Sequence, residues 1–234
     1  PDAREILGGY RFIHCNDAPR DEEGKIILAT SELFDFSEKF VSEYLPFTLE
    51  LGRSFVHPDY QSSKAGSKAL FALDNLWDGL GALTVDHPSI HYFFGKVTMY
   101  SHFHKEARNL IHYFMLKYFR DTENLVKPKI PFIFDIDNEK MERIFTGKEF
   151  REDYKILSQA VRHFGEIIPP LFNSYMNLSS SMKTFGTVLH KAFGNVLETG
   201  IIVKVDEIHE VKKDRHIETY LRNKDTALWI LPEE

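Results

Sequence analysis

The sequence predicts an α/β fold, and two observations carry that prediction. Residues 47–56 and 90–100 are apolar runs of strand length. Residues 67–85 lie between them and place large apolar side chains on one helical face, at Leu70, Leu73, Trp77 and Leu80. Strand, helix and strand in this order form the unit from which sheets flanked by helices are built. With 234 residues, 43% of them hydrophobic, the chain is long enough for one such domain and its core.

The remaining elements follow from the same patterns and from turn residues. Further strands are predicted over residues 5–15, 26–29 and 201–205, and further helices over residues 37–44, 105–120, 138–145, 149–164, 170–178 and 206–221. Pro170 suits the first turn of its helix, whereas two prolines mark a loop over residues 126–137. We therefore predict a core over residues 1–100, a helical insertion over residues 101–165, and a C-terminal part of the core over residues 166–234.

Composition and charge exclude several classes of protein. The net charge of −6 and the isoelectric point near 6.0 disfavour a general nucleic-acid binder. The single cysteine, Cys15, excludes an internal disulfide and a cysteine zinc site, and we interpret it as a buried, inert thiol. The histidines fit no metal-ligand spacing, so no metal is predicted. No apolar window approaches a membrane span and no signal peptide is visible, which predicts a cytoplasmic protein.

A loop of small residues joins the strand 47–56 to the helix that follows it. A helix that begins after such a loop presents free backbone N–H groups and its positive dipole end to an anion. The candidate phosphate-binding residues are Gln61, Lys64, Ala65, Gly66, Ser67 and Lys68. The spacing fits neither G-x-x-x-x-G-K-[ST] nor G-x-G-x-x-G, so the loop belongs to another class of phosphate site.

The loop resembles the pyrophosphate loop of GNAT acyltransferases, whose pattern is Gln/Arg-x-x-Gly-x-Gly/Ala. Gln61 and Gly66 fit this pattern, whereas Lys64 stands where the first glycine is usual. The flanking segments are similar to the branch of ornithine-lipid, glycine-lipid and "hemolysin-like" N-acyltransferases, distant relatives of acyl-homoserine-lactone synthases. These segments are Glu50-Leu51-Gly52-Arg53, Tyr92-Phe93-Phe94-Gly95-Lys96-Val97 and Ile168-Pro169-Pro170-Leu171-Phe172-Asn173-Ser174-Tyr175-Met176. The resemblance implies a GNAT-like mixed sheet flanked by helices, with N-terminal elements that precede this chain.

The same resemblance implies an N-acyltransferase of amino-acid lipid biosynthesis. Its donor would be a long, 3-hydroxylated acyl group held as a 4'-phosphopantetheine thioester on acyl carrier protein, or acyl-CoA. Its acceptor would be the α-amino group of glycine or ornithine, and no cofactor would be bound permanently. Two alternatives stay open: an acetyl-CoA-dependent N-acetyltransferase of small molecules or proteins, and a non-catalytic adaptor for a carrier protein or a membrane.

Four residues are candidates for the chemistry of acyl transfer. Glu50 is the predicted base, directly or through a water, and the alternative is an ion pair with Arg53 that orders the strand. Residues three apart on a regular strand face opposite sides, so we predict a bulge at residues 51–52 that brings Glu50 and Arg53 together. Arg11 orients the acceptor carboxylate or is a solvated strand residue. Tyr175 is the general acid or a core tyrosine.

The helix 105–120 has both apolar and basic residues and therefore two interpretations. It is a peripheral contact with the inner membrane, where a lipid product would be delivered, or a helix that faces the core and has a solvated edge. Basic residues over 102–129 are alternatively a docking surface for the acidic acyl carrier protein.

Overall fold

A five-stranded mixed sheet forms the centre of the molecule. The computed structural model describes residues 6–60 and 67–228, with the backbone alone for residues 60, 67–75, 223 and 225–228. Along the sheet the strands are β1 (Gly8–His14), β3 (Thr48–Val56), β4 (Tyr92–Met99), β7 (Val196–Lys204) and β6 (Lys183–His190). The strands β3 and β4 are parallel, and every other neighbouring pair is antiparallel. The predicted α/β fold with a mixed sheet is thus confirmed.

Helices flank this sheet, and most begin and end within two residues of their predicted bounds. They are α1 (Ser67–Asp86), α2 (Lys105–Phe119), α3 (Asn138–Ile144), α4 (Phe150–His163), α5 (Pro170–Met176), α6 (Glu210–Lys213) and α7 (Thr219–Leu228). Side-chain caps fix two of the N-termini, because His104 accepts a hydrogen bond from the amide of Glu106, and Asp137 one from the amide of Lys140. Pro170 occupies the first turn of α5 as predicted.

The two faces of the sheet are covered differently. One face, here called the helical face, packs its apolar side chains against the flanking helices in the larger core; among these side chains are Leu49, Phe93, Val97 and Leu197 on the strands and Trp77, Ile111, Phe114 and Leu157 on the helices. The opposite face is covered by chain from residues 15–45 and 125–126 in a smaller core around Phe34, Phe40 and Phe94. Glu50 projects from β3 towards this second face, which we call the charged face.

Three segments differ from their predicted structure. Residues 26–29 form no strand; Ile26 makes one isolated bridge with Arg20, and the short strand β2 begins only at Phe34 (Phe34–Phe36). Its partner β5 (Val126–Pro128) lies inside the predicted loop. Sequence analysis also missed β6, because Gly186 at a φ of 93° interrupts the alternation of side chains with an irregularity in the ladder.

Two predicted helical segments are less regular than expected. The segment 37–44 forms a π-helical turn over Phe40–Tyr44, followed by a 3₁₀ turn over Leu45–Phe47. The predicted terminal helix 206–221 begins at Glu210, passes through a π-helical turn over Asp214–Glu218, and continues as α7. Both interruptions keep the chain helical overall, so the predicted type of structure holds while its regularity does not.

The helix α2 turns its apolar residues inward. Leu110, Ile111, Phe114, Met115 and Phe119 are all buried in the larger core. The core-facing interpretation therefore accounts for the apolar side of this helix. Contact with a membrane through residues 105–120 stays a prediction that rests on the exposed residues of α2. None of the helices within residues 6–60 and 67–228 has the length and apolar character needed to cross a bilayer.

Candidate active site

The two parallel strands of the sheet separate partway along their length. The strands β3 and β4 pair only over Thr48–Leu51 and Tyr92–Gly95. Beyond these residues β3 remains paired with β1, and β4 with β7. The two inner edges, both fully described, then face a gap in which no ladder uses their backbone N–H and C=O groups. Such groups are strong hydrogen-bonding partners for a ligand that enters the gap.

A bulge and a glycine shape this gap. Arg11 pairs with Gly52 and Gly9 with Phe55, so Arg53 and the next residue form a bulge opposite a single residue of β1. Arg53 has a φ of 52°, in the left-handed region. A bulge is therefore present at residues 53–54, two residues further along than the predicted position at residues 51–52, and it bends β3 where the strands part. At the last paired position, a Cβ on Gly95 would lie 2.6 Å from the carbonyl oxygen of Leu51, so only glycine allows this approach.

Glu50 is buried at the closed end of the gap and is held by neutral donors. Its exposed fraction is 3%, and its carboxylate accepts hydrogen bonds from the Ala29 amide (3.1 Å), the Thr30 amide (2.7 Å) and the Thr30 hydroxyl (2.6 Å). Cys15 is buried beside it; burial first, and then the charge of Glu50, raise the pKa of the thiol to about 12. Cys15 is thus the buried, protonated thiol that the sequence predicted. Glu50 ties the segment at residues 29–30 to the sheet.

The two predicted arginines, Arg11 and Arg53, are exposed. No ion pair joins Glu50 to Arg53, so the structure does not show the ion-pair alternative. Arg11 lies across from Gly52, with its guanidinium 4.0 Å from the position of a Cβ at that glycine. Ile13 pairs with Glu50, and Arg11 is two residues from Ile13, so Arg11 projects from the same face as Glu50. Both guanidinium groups are accessible to an anionic substrate.

Tyr175 lies on the helical face, away from Glu50. It is half-buried on α5 and contacts Trp77 edge to face, with ring centroids 5.2 Å apart. Burial, and to a smaller degree the phenol of Tyr10, raise the pKa of Tyr175 well above its ordinary value. Its hydroxyl makes no hydrogen bond to any residue that the structure describes. Because its pKa is raised, the phenol of Tyr175 keeps the proton that a general acid must donate. Its role as the general acid stays a prediction.

The predicted phosphate loop lies mostly outside the described residues. The described residues do not include Gln61, Lys64, Ala65 and Gly66. They include the backbone of Ser67 and Lys68 but not the side chains of these two residues. The backbone of α1 begins at Ser67 and continues for 20 residues, so a long helix does start after β3 as predicted. Its N-terminus has the dipole direction that favours an anion, and the contacts of the loop stay a prediction.

The structure reveals a row of ionisable side chains that sequence analysis missed. On the charged face, Lys96 of β4 contacts Glu198 of β7 at 2.6 Å, and His190 of β6 contacts the same carboxylate through Nδ1 at 3.1 Å. The side chains of Lys96, Glu198 and His190 are 15%, 4% and 10% exposed, so Lys96 and Glu198 compensate each other's charge inside the protein. With Arg11 and Glu50 they form what we call the charged row, one residue from each strand of the sheet.

A signal for this row was present in the sequence but was ambiguous. Lys96 and Glu198 interrupt otherwise apolar strands, where a charged side chain is rarely buried without a partner. Their mutual contact depends on the antiparallel pairing of β4 with β7, which places Glu198 opposite Thr98. A pairing between residues 100 positions apart cannot be read from local pattern. Among the described residues, no cluster of three His, Cys, Asp or Glu is arranged to hold a metal ion.

Comparisons with known proteins agree with this geometry. Residues 1–70 match the family described as acetyltransferase (GNAT) domain. The chain is 54% identical over 228 residues to a protein of Bacteroides thetaiotaomicron named glycine N(alpha)-acyltransferase, an alignment that covers 97% of this chain and 68% of the relative. A protein of Phocaeicola vulgatus with the same name is 52% identical over 230 residues, covering 98% of this chain and 71% of the relative. No solved structure matches the chain significantly.

Proposed function

The chain belongs to the GNAT N-acyltransferase family, and from that premise we propose that it transfers a long 3-hydroxyacyl group to the α-amino group of glycine. The observation that carries this proposal is the gap between β3 and β4, at whose closed end Glu50 is buried. An acyltransferase of this family needs an acyl thioester such as acyl-CoA as donor. We assign glycine because both relatives are named for it, and ornithine is the acceptor to exclude.

The proposed reaction is direct transfer within a complex of both substrates. The uncharged amine of glycine attacks the thioester carbon, a C–N bond forms, and the C–S bond breaks with its electron pair on sulfur. Glu50 takes the first proton of the ammonium, directly or through a water, and later releases it to solvent. Tyr175 gives a proton to the thiolate, and the second proton, which the nitrogen loses as the amide forms, restores the phenol. Backbone N–H groups along the gap stabilise the oxyanion. Arg11 and Arg53 hold the glycine carboxylate, for which an accessible guanidinium is well suited.

The proposed donor is acyl carrier protein, whose pantetheine arm would lie in the gap with its phosphate at the start of α1. Gln61, Lys64, Ala65, Gly66, Ser67 and Lys68 would hold that phosphate, as the resemblance to the GNAT loop implies. Lys127 and Lys129 are exposed on the segment proposed to receive the acidic carrier. The product would be an N-acyl glycine of an amino-acid lipid pathway. A peripheral contact with the inner membrane would bring this product to the bilayer.

A competition assay on the full-length protein tests the acceptor and the donor together. Acyl carrier protein charged with a 3-hydroxyacyl group is mixed with the common amino acids and ornithine, and mass spectrometry identifies the products. We expect N-acyl glycine as the main product. The same mixture with acyl-CoA and with acetyl-CoA compares the donors at equal concentration.

Each other result has a defined meaning. N-acyl ornithine as the main product would change the assigned acceptor from glycine to ornithine. The reaction would still be N-acyl transfer. Turnover of acetyl-CoA in place of the long acyl donors would support an N-acetyltransferase of small molecules or proteins. Absence of any product would contradict the proposed reaction, and retained binding of acyl carrier protein would then favour an adaptor.

A further inference from the structure

The ion pair of Lys96 and Glu198 lies beside the gap, on the charged face of the sheet. The strand β4 makes its last pairing with β3 one residue before Lys96. Lys96 pairs with Gly200, where a Cβ would lie 3.1 Å from the Phe34 ring of the smaller core, and this contact identifies the face. Glu198 is opposite Thr98, two residues nearer the open end, so the ammonium of Lys96 reaches in that direction. The pair therefore borders the open part of the gap.

The same pair is close to the proposed point of acyl transfer. Glu50 pairs with Phe94, and Lys96 follows Phe94 two residues later on the same side of β4. Residues two apart on a strand are separated by roughly 7 Å. A thioester carbon, the next two carbons of the acyl chain and one hydrogen bond together span about this length. A donor whose thioester lies beside Glu50 thus brings its third carbon next to the ion pair.

The ion pair has hydrogen-bonding capacity that the described residues leave unused. The ammonium of Lys96 has three N–H donors, is 15% exposed, and contacts one oxygen of Glu198, Oε2, at 2.6 Å. The other oxygen, Oε1, accepts only a long hydrogen bond of 3.4 Å from the Thr98 hydroxyl. A donor and an acceptor therefore lie side by side, as a ligand hydroxyl requires. A charged ligand would instead unbalance a pair whose charges already compensate each other.

An apolar surface continues directly beyond this polar pair. His190 contacts Oε2 of Glu198 through Nδ1 at 3.1 Å, and the Phe193 ring stacks on His190 with centroids 5.6 Å apart. Phe193 is 55% exposed and lies in the turn that follows β6. The outer nitrogen of His190 lies 3.6 Å from the exposed Glu32, which ends the polar row towards solvent. A ligand with one hydroxyl and an apolar chain matches this sequence of groups.

We propose that Lys96 and Glu198 select the donor by binding the hydroxyl on the third carbon of its acyl group. The ammonium of Lys96 donates to the hydroxyl oxygen, the hydroxyl donates to Oε1 of Glu198, and the chain continues over Phe193. An unsubstituted chain would cover the same charged groups with a CH₂ group and make neither bond. The proposal rests on the proposed function, which names a 3-hydroxyacyl donor, and adds the residues that distinguish it from an unsubstituted donor.

Calorimetric titration of the full-length protein without an acceptor tests this preference. The probes are 3-hydroxydecanoyl-CoA, decanoyl-CoA, and the same two acyl groups on acyl carrier protein. We expect the hydroxylated donor to bind at least about tenfold more tightly on either carrier, since a hydrogen bond to a charged group contributes about that factor. Equal binding of the two acyl groups would overturn the proposal. Absence of binding by all four donors would contradict both the proposal and the proposed function.

A double variant then locates the preference. Lys96→Met with Glu198→Gln removes both charges together, so no buried charge is left uncompensated and urea denaturation should stay near that of the parent protein. The preference for the hydroxylated donor should fall to within about threefold, since a neutral amide offers only a weaker bond. The affinity for decanoyl-CoA should change by less than about twofold. An unchanged preference, or equal weakening of both donors, would overturn the proposal.

The matched control makes the same two substitutions in an exposed ion pair. Lys204 and Glu207 lie 2.8 Å apart at the other end of β7, and Lys204→Met with Glu207→Gln should change neither affinity nor preference. A raised KM for glycine in the Lys96 and Glu198 variant, with the donor preference intact, would assign the pair to the acceptor and overturn the proposal.

The titration requires no turnover, so it separates this inference from the proposed function. Formation of N-acyl glycine by a protein that binds both acyl groups equally would contradict the inference alone. A hydroxyl preference located at Lys96 and Glu198, in a protein that does not acylate glycine, would contradict the proposed function alone.

Discussion

Two buried glutamates on the charged face have partners that three ionisable side chains on the helical face lack, although Asp153 on the helical face is itself paired with Lys117. On the charged face, Glu50 is held by two amides and a hydroxyl, and Glu198 by Lys96 and His190. On the helical face, Arg108, His112 and Tyr175 have no charged partner among the described residues. Burial lowers the pKa of the first two and raises that of Tyr175, in each case favouring the neutral form.

The difference shows how one sheet can keep two kinds of polar group. Groups that are paired stay charged at a cost that their partners offset, and they hold strands and loops in place. Groups without partners are suited to a neutral role, either as a proton donor or as a hydrogen-bonding group. A charged group without a partner is suited to a ligand of the opposite charge. We infer from this contrast that substitutions on the charged face chiefly change activity, donor preference and stability, and those on the helical face chiefly change the dependence of stability on pH.

The largest expected effect is on transfer by Glu50→Gln. Loss of the proposed base should lower the rate of N-acyl glycine formation by about a thousandfold, within the range that general base catalysis contributes. Glu22→Gln, in an exposed turn, is the matched control and should leave the rate unchanged. Binding of the acyl carrier protein should persist in both variants. A rate within tenfold of the parent protein would show that Glu50 serves only to hold residues 29–30.

The next effect is on stability and concerns Lys96. Replacement by Met leaves Glu198 buried beside His190 without its main cation, so the free energy of unfolding should fall by about 3 kcal/mol or more. Urea denaturation measures this change. The double variant Lys96→Met with Glu198→Gln should recover most of it, since no buried charge is then uncompensated. Lys25→Met removes an exposed ion pair with Glu23 and should have little effect. Equal losses in both lysine variants would contradict the paired character of the charged face.

On the helical face, the buried His112 should make the free energy of unfolding depend on pH. The pKa of His112 is about 4 in the folded protein and near 6.5 in the unfolded chain, so between these values the unfolded chain binds the extra proton. Stability is therefore full above pH 6.5 and falls on acidification towards pH 4, by up to about 3 kcal/mol from this group. His112→Phe should lose less stability than the parent over this window in urea titrations. His102→Gln, at an exposed position, should follow the parent.

The smallest effects compare two threonines that donate to the two buried glutamates. The Thr30 hydroxyl lies 2.6 Å from Glu50, and that of Thr98 lies 3.4 Å from Glu198. Thr30→Val should lower the free energy of unfolding by about 2 kcal/mol, since a short bond to a buried charge is lost. Thr98→Val should cost less than about 1 kcal/mol, because Lys96 and His190 still hold Glu198. The reverse order would show that Glu50 depends less on its neutral donors than the distances indicate.

The sequence by itself determined the elements that have strong local signals. The periodicity of residues 67–85 and 105–120 predicted α1 and α2 nearly to their ends, because a helix depends on neighbours three and four residues away. The apolar run at residues 47–56 likewise predicted β3. The resemblance of short motifs led to the GNAT family and to Glu50, Arg53, Arg11 and Tyr175 as candidates. Their catalytic roles stay predictions.

Only the tertiary structure decided which side chains meet. The contact of Lys96 with Glu198 and His190 depends on strand pairing across long separations in the chain, and so does the separation of β3 from β4. Glu50 is held by residues 29–30, and residue 29 ends the predicted strand 26–29, which does not form. Among the described residues Arg108 has no charged partner, because α2 places it beside Phe132 and other apolar side chains. The periodicity of a sequence segment predicts which face of a strand or helix a residue occupies. The partners of that residue depend on how distant segments pack against each other.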